Sequence, residues 1–292
     1  MNDSKNKLIT IGITAYNEGV YLQEAWDSVA NQTDDRWEAV MVLDGGADKD
    51  TTEIFDFISH PLLTKIKLDS NQGNYYTRTL AIENSKTDWY CQLDADDYLG
   101  SNFTEVLNDA IINHPDAEIF YGDIKYINGD NSTIISFKDT DRKQVPYMVN
   151  GHVPINKTIF SELGGFEKKF YYGGADRDFL FKCGLYNKNF RYIPNNILYY
   201  VRKREISTAK KRKENIVQRE QIFFHLNNNY KQYLIEIKCY DMFIEKSLKP
   251  IFYYYYYQRK YLQLFSLLFR FGYRAEYYLW KYFGKLILNR VL

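Results

Sequence analysis

The chain has 292 residues and a formal net charge of +1, enough for one large domain or a domain with a smaller appendage. It is 45% hydrophobic and 26% charged, which excludes a disordered chain, and no run approaches the roughly 18 uninterrupted apolar residues of a membrane span. Three cysteines, Cys91, Cys183 and Cys239, lie far apart without CxxC spacing, so reduced thiols in a cytosolic protein are expected, and MNDSKNK lacks the apolar run of a secretory leader.

The first two hundred residues alternate strand-like and helix-like segments. LITIGITAY (8–16) is β-rich and apolar, as a buried parallel strand should be. EGVYLQEAWDSVANQ (18–32) places Leu22, Ala25, Trp26 and Val29 at helical spacing. WEAVMVLD (37–44) predicts a second strand that ends in a Gly-Gly turn, DTTEIFDFI (50–58) a helix and TKIKLD (64–69) a third strand. NYYTRTLAIENS (74–85) predicts a helix, and DWYCQLD (88–94) a fourth strand with Asp94 at its carboxyl end. A β-α-β-α order of this kind predicts a doubly wound, mostly parallel sheet. Ligands of such sheets bind beyond the carboxyl ends of the strands. Tyr16–Asn17, Asp44–Gly45 and Asp94–Asp97 are therefore expected along one rim.

A helix over 101–114, capped by Ser101 or Asn102, and a strand over 117–127 follow. The segment 171–186 reads as a Gly-Gly turn opening a helix, and 189–203 as a strand pair broken at Pro194.

The densest chemical signal is QLDADDYLG (92–100), where Asp94, Asp96 and Asp97 follow an apolar strand. Crowded carboxylates resist ionising together. A hard divalent cation would neutralise them, since Mg²⁺ and Mn²⁺ take oxygen ligands beside substrate phosphates. A solvated turn with Asp97 as a cap is the plainer explanation of three acidic residues taken alone.

The acidic turn belongs to a longer series. TAYNE (14–18), VLDGGADKDT (42–51), NQGNYYTRTLA (71–81), QLDADD (92–97), GGF (164–166) and GADRDFLFK (174–182) occur in that order. Together they resemble family 2 of the glycosyltransferases over about residues 8 to 207. The resemblance implies a GT-A fold, Rossmann-like with a mostly parallel sheet, and inverting transfer from a nucleotide-activated sugar, a UDP-sugar first among them. It implies that Tyr16 and Asn17 line the base and ribose, that Asp44 reads the uracil edge, and that Arg78 lies near the nucleotide. It implies that Asp94 faces the ribose and that Asp96 ligates Mn²⁺ or Mg²⁺ at the diphosphate. Asp176 falls on the general base, a role a carboxylate suits; from the residues alone, capping of the helix by Asp176 or Asp178 is the plainer reading.

The sequence also departs from the family pattern. Asp44-Gly45-Gly46-Ala47 stands where Asp-Asp-Gly-Ser is usual, and Ala175 stands where a Glu precedes the base. Arg202 falls where a histidine often follows the last core strand. A guanidinium pairs with phosphate oxygens, so Arg202 or its neighbour Lys203 is expected on the diphosphate. His152 is read as a structural histidine ahead of a substrate contact, Trp89 and Tyr90 as core ahead of sugar platforms, and Cys91 as core.

Residues 1–200 carry 19 Lys and Arg against 30 Asp and Glu, a net of −11; the remainder carries 19 against 7, a net of +12. The domain boundary is placed in the charged run 202–215, giving a catalytic domain over 1–207 and a helical, aromatic and basic C-terminal region over 208–292. That composition suits an anionic membrane surface; packing on the catalytic domain or a homodimer interface are the alternatives. No nucleic-acid module is visible. The expected acceptor is a cell-envelope glycan or lipid-linked glycan, met in the cytoplasm or at the inner face of the cell membrane. A catalytically inactive scaffold and a nucleotidyltransferase are the competing readings, and TAYNEG lacks the phosphate loop the latter requires.

Overall fold

The computed structural model describes residues 7–168, 170, 173–203 and 215–271. The charged run 204–214, Tyr171, Tyr172 and the last part of the aromatic and basic tail, 272–292, lie outside the described residues. The chain divides into two compact units, 1–207 and 208–292.

The first unit is built on β1 (Ile9–Ala15), α1 (Val20–Ala30), β2 (Trp37–Leu43), α2 (Lys49–Phe57), β3 (Leu63–Lys67), α3 (Asn74–Glu83) and β4 (Trp89–Asp94). It continues through β5 (Tyr98–Leu99), α4 (Phe103–Asn113), β6 (Ile119–Asn128), β7 (Asn131–Ile135), α5 (Val145–Met148) and β8 (Ile155–Asn156). It ends with α6 (Lys157–Glu162), α7 (Ala175–Leu185) and β9 (Phe190–Arg202). Among the described residues one nine-stranded sheet runs β3-β2-β1-β4-β8-β6-β9-β5, with β7 paired to β6. The β3-β2-β1-β4 ladder is parallel, as is β6-β9, and the short strands β5, β7 and β8 pair antiparallel.

Burial explains the strand sequences. Ile9, Ile11, Ile13, Met41, Val42, Cys91 and Leu93 are fully buried, because helices cover both faces of a parallel sheet. α1 buries Leu22, Ala25, Trp26 and Val29, each large side chain contributing about 1.5–3 kcal/mol. Gly12 of β1 makes room for Tyr90 of β4, whose hydroxyl oxygen would lie 1.9 Å from any Cβ there. Trp89, Tyr90 and Cys91 are core residues, as expected.

Two local expectations change in detail. Asn102 sits at the start of α4 but makes no side-chain cap bond; the acidic Glu105 in the first turn still complements the helix dipole. The segment around Pro194 is one strand, β9, with a break in register against β6: Gly122 pairs with Ile193 and Asp123 with Ile197. Proline has no N–H to give to a ladder, so the chain bulges there and resumes pairing.

The second unit contains α8 (Ile216–Glu236), α9 (Tyr240–Tyr257) and α10 (Tyr261–Phe271). Phe223 of α8 stacks on Phe243 of α9 at 5.4 Å, and the Tyr240 hydroxyl donates to Asn227 at 3.0 Å. No helix among the described residues is long and apolar enough to cross a membrane.

Candidate active site

The parallel register sets the rim. Ala15 lies opposite Leu43, and Thr14 opposite Asp94, so β1, β2 and β4 end level with one another. The residues that follow them, Tyr16–Asn17, Asp44 and Asp94–Asp97, therefore share one edge of the sheet, as the strand pattern predicts. The Asn17 side chain accepts the Asp48 N–H at 2.7 Å and links the end of β1 to the start of α2. Tyr16 is 37% exposed beside it.

Asp44 is buried and engaged by backbone. Its Oδ1 accepts the N–H of Gln72 at 2.7 Å and of Gly45 at 3.1 Å, and its Oδ2 accepts the N–H of Gly73 at 2.9 Å. The carboxylate thus fixes the loop that opens α3. Gly45 lets the two turns touch, since a Cβ there would sit 2.2 Å from the Ser70 nitrogen.

α3 then delivers Arg78 into the site. Its guanidinium donates to both Asp94 oxygens, at 2.5 and 2.8 Å, with the Arg78 side chain 6% exposed. Burial opposes charge on each partner, but the pair outweighs it: Asp94 is held below the usual carboxylate range and Arg78 is held charged. The Asp94 N–H donates to the Tyr199 hydroxyl of β9, which passes its own proton to the Gln92 carbonyl, both at 3.0 Å. This buried relay ties the acidic turn to the far half of the sheet.

The turn itself is closed by the Asp97 N–H donating to the Asp94 carbonyl at 2.9 Å. Asp97 is 3% exposed. Burial, then Asp94 and Asp96, raise its carboxyl to about 8. Among the described residues, ligand atoms of Asp94, Asp97 and His152 lie within 4.8 Å of one another, an arrangement that suits a cation. Asp96, the ligand implied by the family resemblance, lies in the same turn but outside that trio.

His152, for which the sequence favours a structural role, lies beside the acidic turn. Its ring stacks on Tyr199 at 4.4 Å, and its Nε2 lies 3.9 Å from Asp94 Oδ2. Burial pushes its pKa down despite Asp94, leaving a neutral imidazole able to act as a ligand. A histidine in an irregular segment carries no periodic signal that separates a site residue from a packed one.

Asp176 enters from the first turn of α7. Gly173 and Gly174 precede it with φ of 130° and 96°, a left-handed entry that glycine adopts without strain. Asp176 Oδ1 accepts from the Tyr75 hydroxyl at 2.7 Å. Its charge acts on Arg78, Asp94 and His152, so it belongs with the acidic rim. Ala175 is fully buried. Tyr75 also lines a groove of about 810 Å³ with Tyr76, Phe160, Phe166, Lys157 and Lys168.

Arg202 ends β9 against the same turn. Its N–H donates to Asp97 Oδ1 at 2.8 Å, and its guanidinium pairs with Glu24 of α1 and lies over the rings of Tyr98 and Tyr21, at 4.8 and 5.0 Å. Lys203 instead lies over Tyr126 at 5.7 Å.

Residues 10–191 match the family model for glycosyl transferase family 2. The chain is 33% identical over 98 residues to the teichoic acid poly(glycerol phosphate) polymerase of Staphylococcus epidermidis, a match covering 33% of this chain and 14% of that protein. It is 30% identical over 109 residues to an uncharacterized glycosyltransferase of Haemophilus influenzae, covering 37% of this chain and 44% of that one. Among solved structures, S. aureus TarS 1–349 in complex with UDP-GlcNAc matches with a TM-score of 0.60 at 20% identity, over 76% of this chain and 67% of that one. The fold is that of TarS, and the family match spans most of the sheet and every rim residue except Arg202: the chain belongs to glycosyl transferase family 2.

Proposed function

We propose that the protein is an inverting glycosyltransferase that moves a sugar from a nucleotide diphosphate, a UDP-sugar, to a hydroxyl of a cell-envelope glycan or glycolipid. The observation that carries this reading is the gathering of Asn17, Asp44 and Asp94–Asp97 at the ends of three parallel strands, with Arg78 reaching Asp94 from α3 and Asp176 from α7 acting on the same pair. TarS, which shares the fold, is described with UDP and with UDP-GlcNAc, and the S. epidermidis relative is a teichoic acid polymerase; both support a nucleotide-linked donor and an envelope acceptor.

In this reading Tyr16, Asn17 and Asp44 border the nucleoside, and Asp44 acts through the loop it holds as well as at the base edge. Arg78 keeps Asp94 ionised and oriented toward the ribose. Asp176 takes the proton of the acceptor hydroxyl as that oxygen attacks the anomeric carbon, while the bond to the diphosphate oxygen breaks on the opposite face. In this reading the Arg202 guanidinium would turn from Glu24 to the leaving diphosphate. The groove beside Tyr75 gives the acceptor room.

The donor set of the acidic turn fits a divalent cation, because Asp97, whose carboxyl burial and its acidic neighbours raise to about 8, would ionise more readily beside one. Asp96 would hold Mn²⁺ or Mg²⁺ on the diphosphate side, and Asp94, Asp97 and His152 supply two oxygens and a nitrogen close by. When bound, the cation supplies charge neutralisation of the leaving diphosphate.

Calorimetric titration of UDP, GDP and their common sugar conjugates, with Mn²⁺ and then with EDTA, tests the reading on wild type and Asp96→Ala. Metal-dependent binding of one nucleotide that the substitution abolishes is the expected result. Absence of binding by well-folded protein would leave a scaffold role as the better reading.

A further inference from the structure

We propose that Tyr75 is a positioning residue for the base: its hydroxyl sets the orientation of the Asp176 carboxylate and favours its ionised form. The inference rests on the reading of Asp176 as the base.

Among the described residues, two partners meet the hydroxyl, and they set the direction of its proton. The Gly174 N–H donates to the Tyr75 oxygen at 3.1 Å. An N–H cannot accept, so the single hydroxyl proton is directed to Asp176 Oδ1, 2.7 Å away. The ring is fixed as well. Tyr75 is 7% exposed, meets Phe166 edge-on at 5.3 Å and lies 5.5 Å from the Arg78 guanidinium.

The opposite side of Asp176 is shaped by Gly151. A Cβ at residue 151 would sit 2.7 Å from Asp176 Cβ and 3.1 Å from its Oδ2. The carboxylate is thus confined between a hydroxyl donor and a backbone that a side chain would displace. Tyr75 and Arg78 are three residues apart and share one face of α3. One helix therefore orients both Asp94, through Arg78, and Asp176, through Tyr75. A shift of α3 would move the donor-side and acceptor-side carboxylates together.

A buried tyrosine often finds a partner for its hydroxyl without a catalytic reason. The test must separate that case. Among the described residues, charged and titratable groups acting on Asp176 from other elements include Arg78 of α3, Asp94 of β4 and His152 of the segment before β8; Arg177 and Asp178 adjoin it on α7. None of them is altered by Tyr75→Phe, which removes one oxygen and keeps the ring.

The experiment is a carbon NMR titration of the Asp176 carboxyl in the full-length, aspartate-labelled protein, assigned by its loss in Asp176→Asn. In Tyr75→Phe the carboxyl should titrate roughly one pH unit higher, the loss of a hydrogen bond to the charged form. With 3-fluorotyrosine at position 75, a stronger donor of the same size, it should titrate lower, and this second variant decides the matter if Tyr75→Phe folds poorly. UDP release from UDP-GlcNAc should fall about tenfold in kcat for Tyr75→Phe with the donor KM unchanged. An Asp176 titration identical in wild type and both variants overturns the proposal, whatever the activity. Asp176→Asn that releases UDP as fast as wild type overturns the base reading instead, and with it the catalytic part of this one.

Discussion

The carboxylate of Asp97 accepts the main-chain N–H of Arg202 at 2.8 Å, which fastens the acidic turn after β4 to the end of β9. Asp97 is held there while its carboxyl is raised to about 8 by burial and by its neighbours Asp94 and Asp96. An unfolded aspartate titrates near 3.9. The folded state therefore holds the extra proton between about pH 4 and 8, and this contribution to stability is lost as the pH rises through that range. His152 works the other way: burial lowers its pKa, so its contribution is lost on acidification below about 6.5. Of these two groups, only Asp97 acts from about pH 6.5 to 8. The melting temperature of the metal-free protein should fall across that interval. Asp97→Asn should flatten the profile and raise stability at the alkaline end, because the amide oxygen still accepts the Arg202 N–H. Thermal melts in matched buffers decide it. A profile in the variant as steep as in wild type would show that another group is responsible.

Asp44 holds three backbone donors with two oxygens. Asp44→Asn turns an NH₂ group either toward the N–H of Gly73 or toward those of Gln72 and Gly45, leaving at least one donor unpaired. The expected cost is about 1–3 kcal/mol, read as a lower urea midpoint. Because the loop opens α3, and α3 carries Arg78 and Tyr75, UDP affinity should fall at the same time. Calorimetry would show the role of Asp44 to be confined to the base edge if affinity falls while the urea midpoint stays at the wild-type value.

Arg202 has its guanidinium on Glu24 and two tyrosine rings, with the side chain 16% exposed. If it turns to the diphosphate, Arg202→Ala should weaken UDP binding about tenfold, the scale of one charge-assisted hydrogen bond. Glu24→Gln should strengthen it by releasing the guanidinium. Uridine, which lacks the diphosphate, should bind equally to all three proteins. Unchanged UDP affinity in Arg202→Ala leaves Arg202 a purely structural partner of Glu24 and the acidic turn.

The sheet was legible in the sequence because apolar runs such as LITIGITAY and WEAVMVL have few other uses, and their parallel register then carries Asn17, Asp44 and Asp94 to one edge. Arg78 was legible only through the family resemblance, since nothing in helical periodicity says that Arg78 pairs with Asp94. His152, Tyr199 and Tyr75 were not legible as site residues. Each reaches the site through packing across about a hundred or fewer positions of chain, from segments whose local pattern is that of ordinary core or loop. Arg202 was placed near the diphosphate by position alone; its contacts with Glu24, Tyr21 and Tyr98 depend on how β9 ends beside α1. The bulge at Pro194 misled for the same reason, since a proline marks a break in pairing without saying that the strand resumes.

The second unit offers a surface of its own at the connection between α9 and α10. Tyr257 is 68% exposed and Leu262 83%, and Arg259 and Lys260 stand exposed between them. Aromatic rings and a leucine beside two cations match the composition of an interfacial anchor. Each cation near an anionic surface contributes about 1 kcal/mol, and burying the leucine adds about 1.5–3 kcal/mol. Full-length protein should float with vesicles containing phosphatidylglycerol. Leu262→Glu should reduce the bound fraction severalfold, as should the double change Arg259→Glu and Lys260→Glu, the latter alone losing its dependence on salt. Neutral phosphatidylcholine vesicles should retain little of either protein. Equal flotation of wild type and both variants would assign this surface to a protein contact, and analytical ultracentrifugation of the same variants would then show whether that contact is a second copy of the chain.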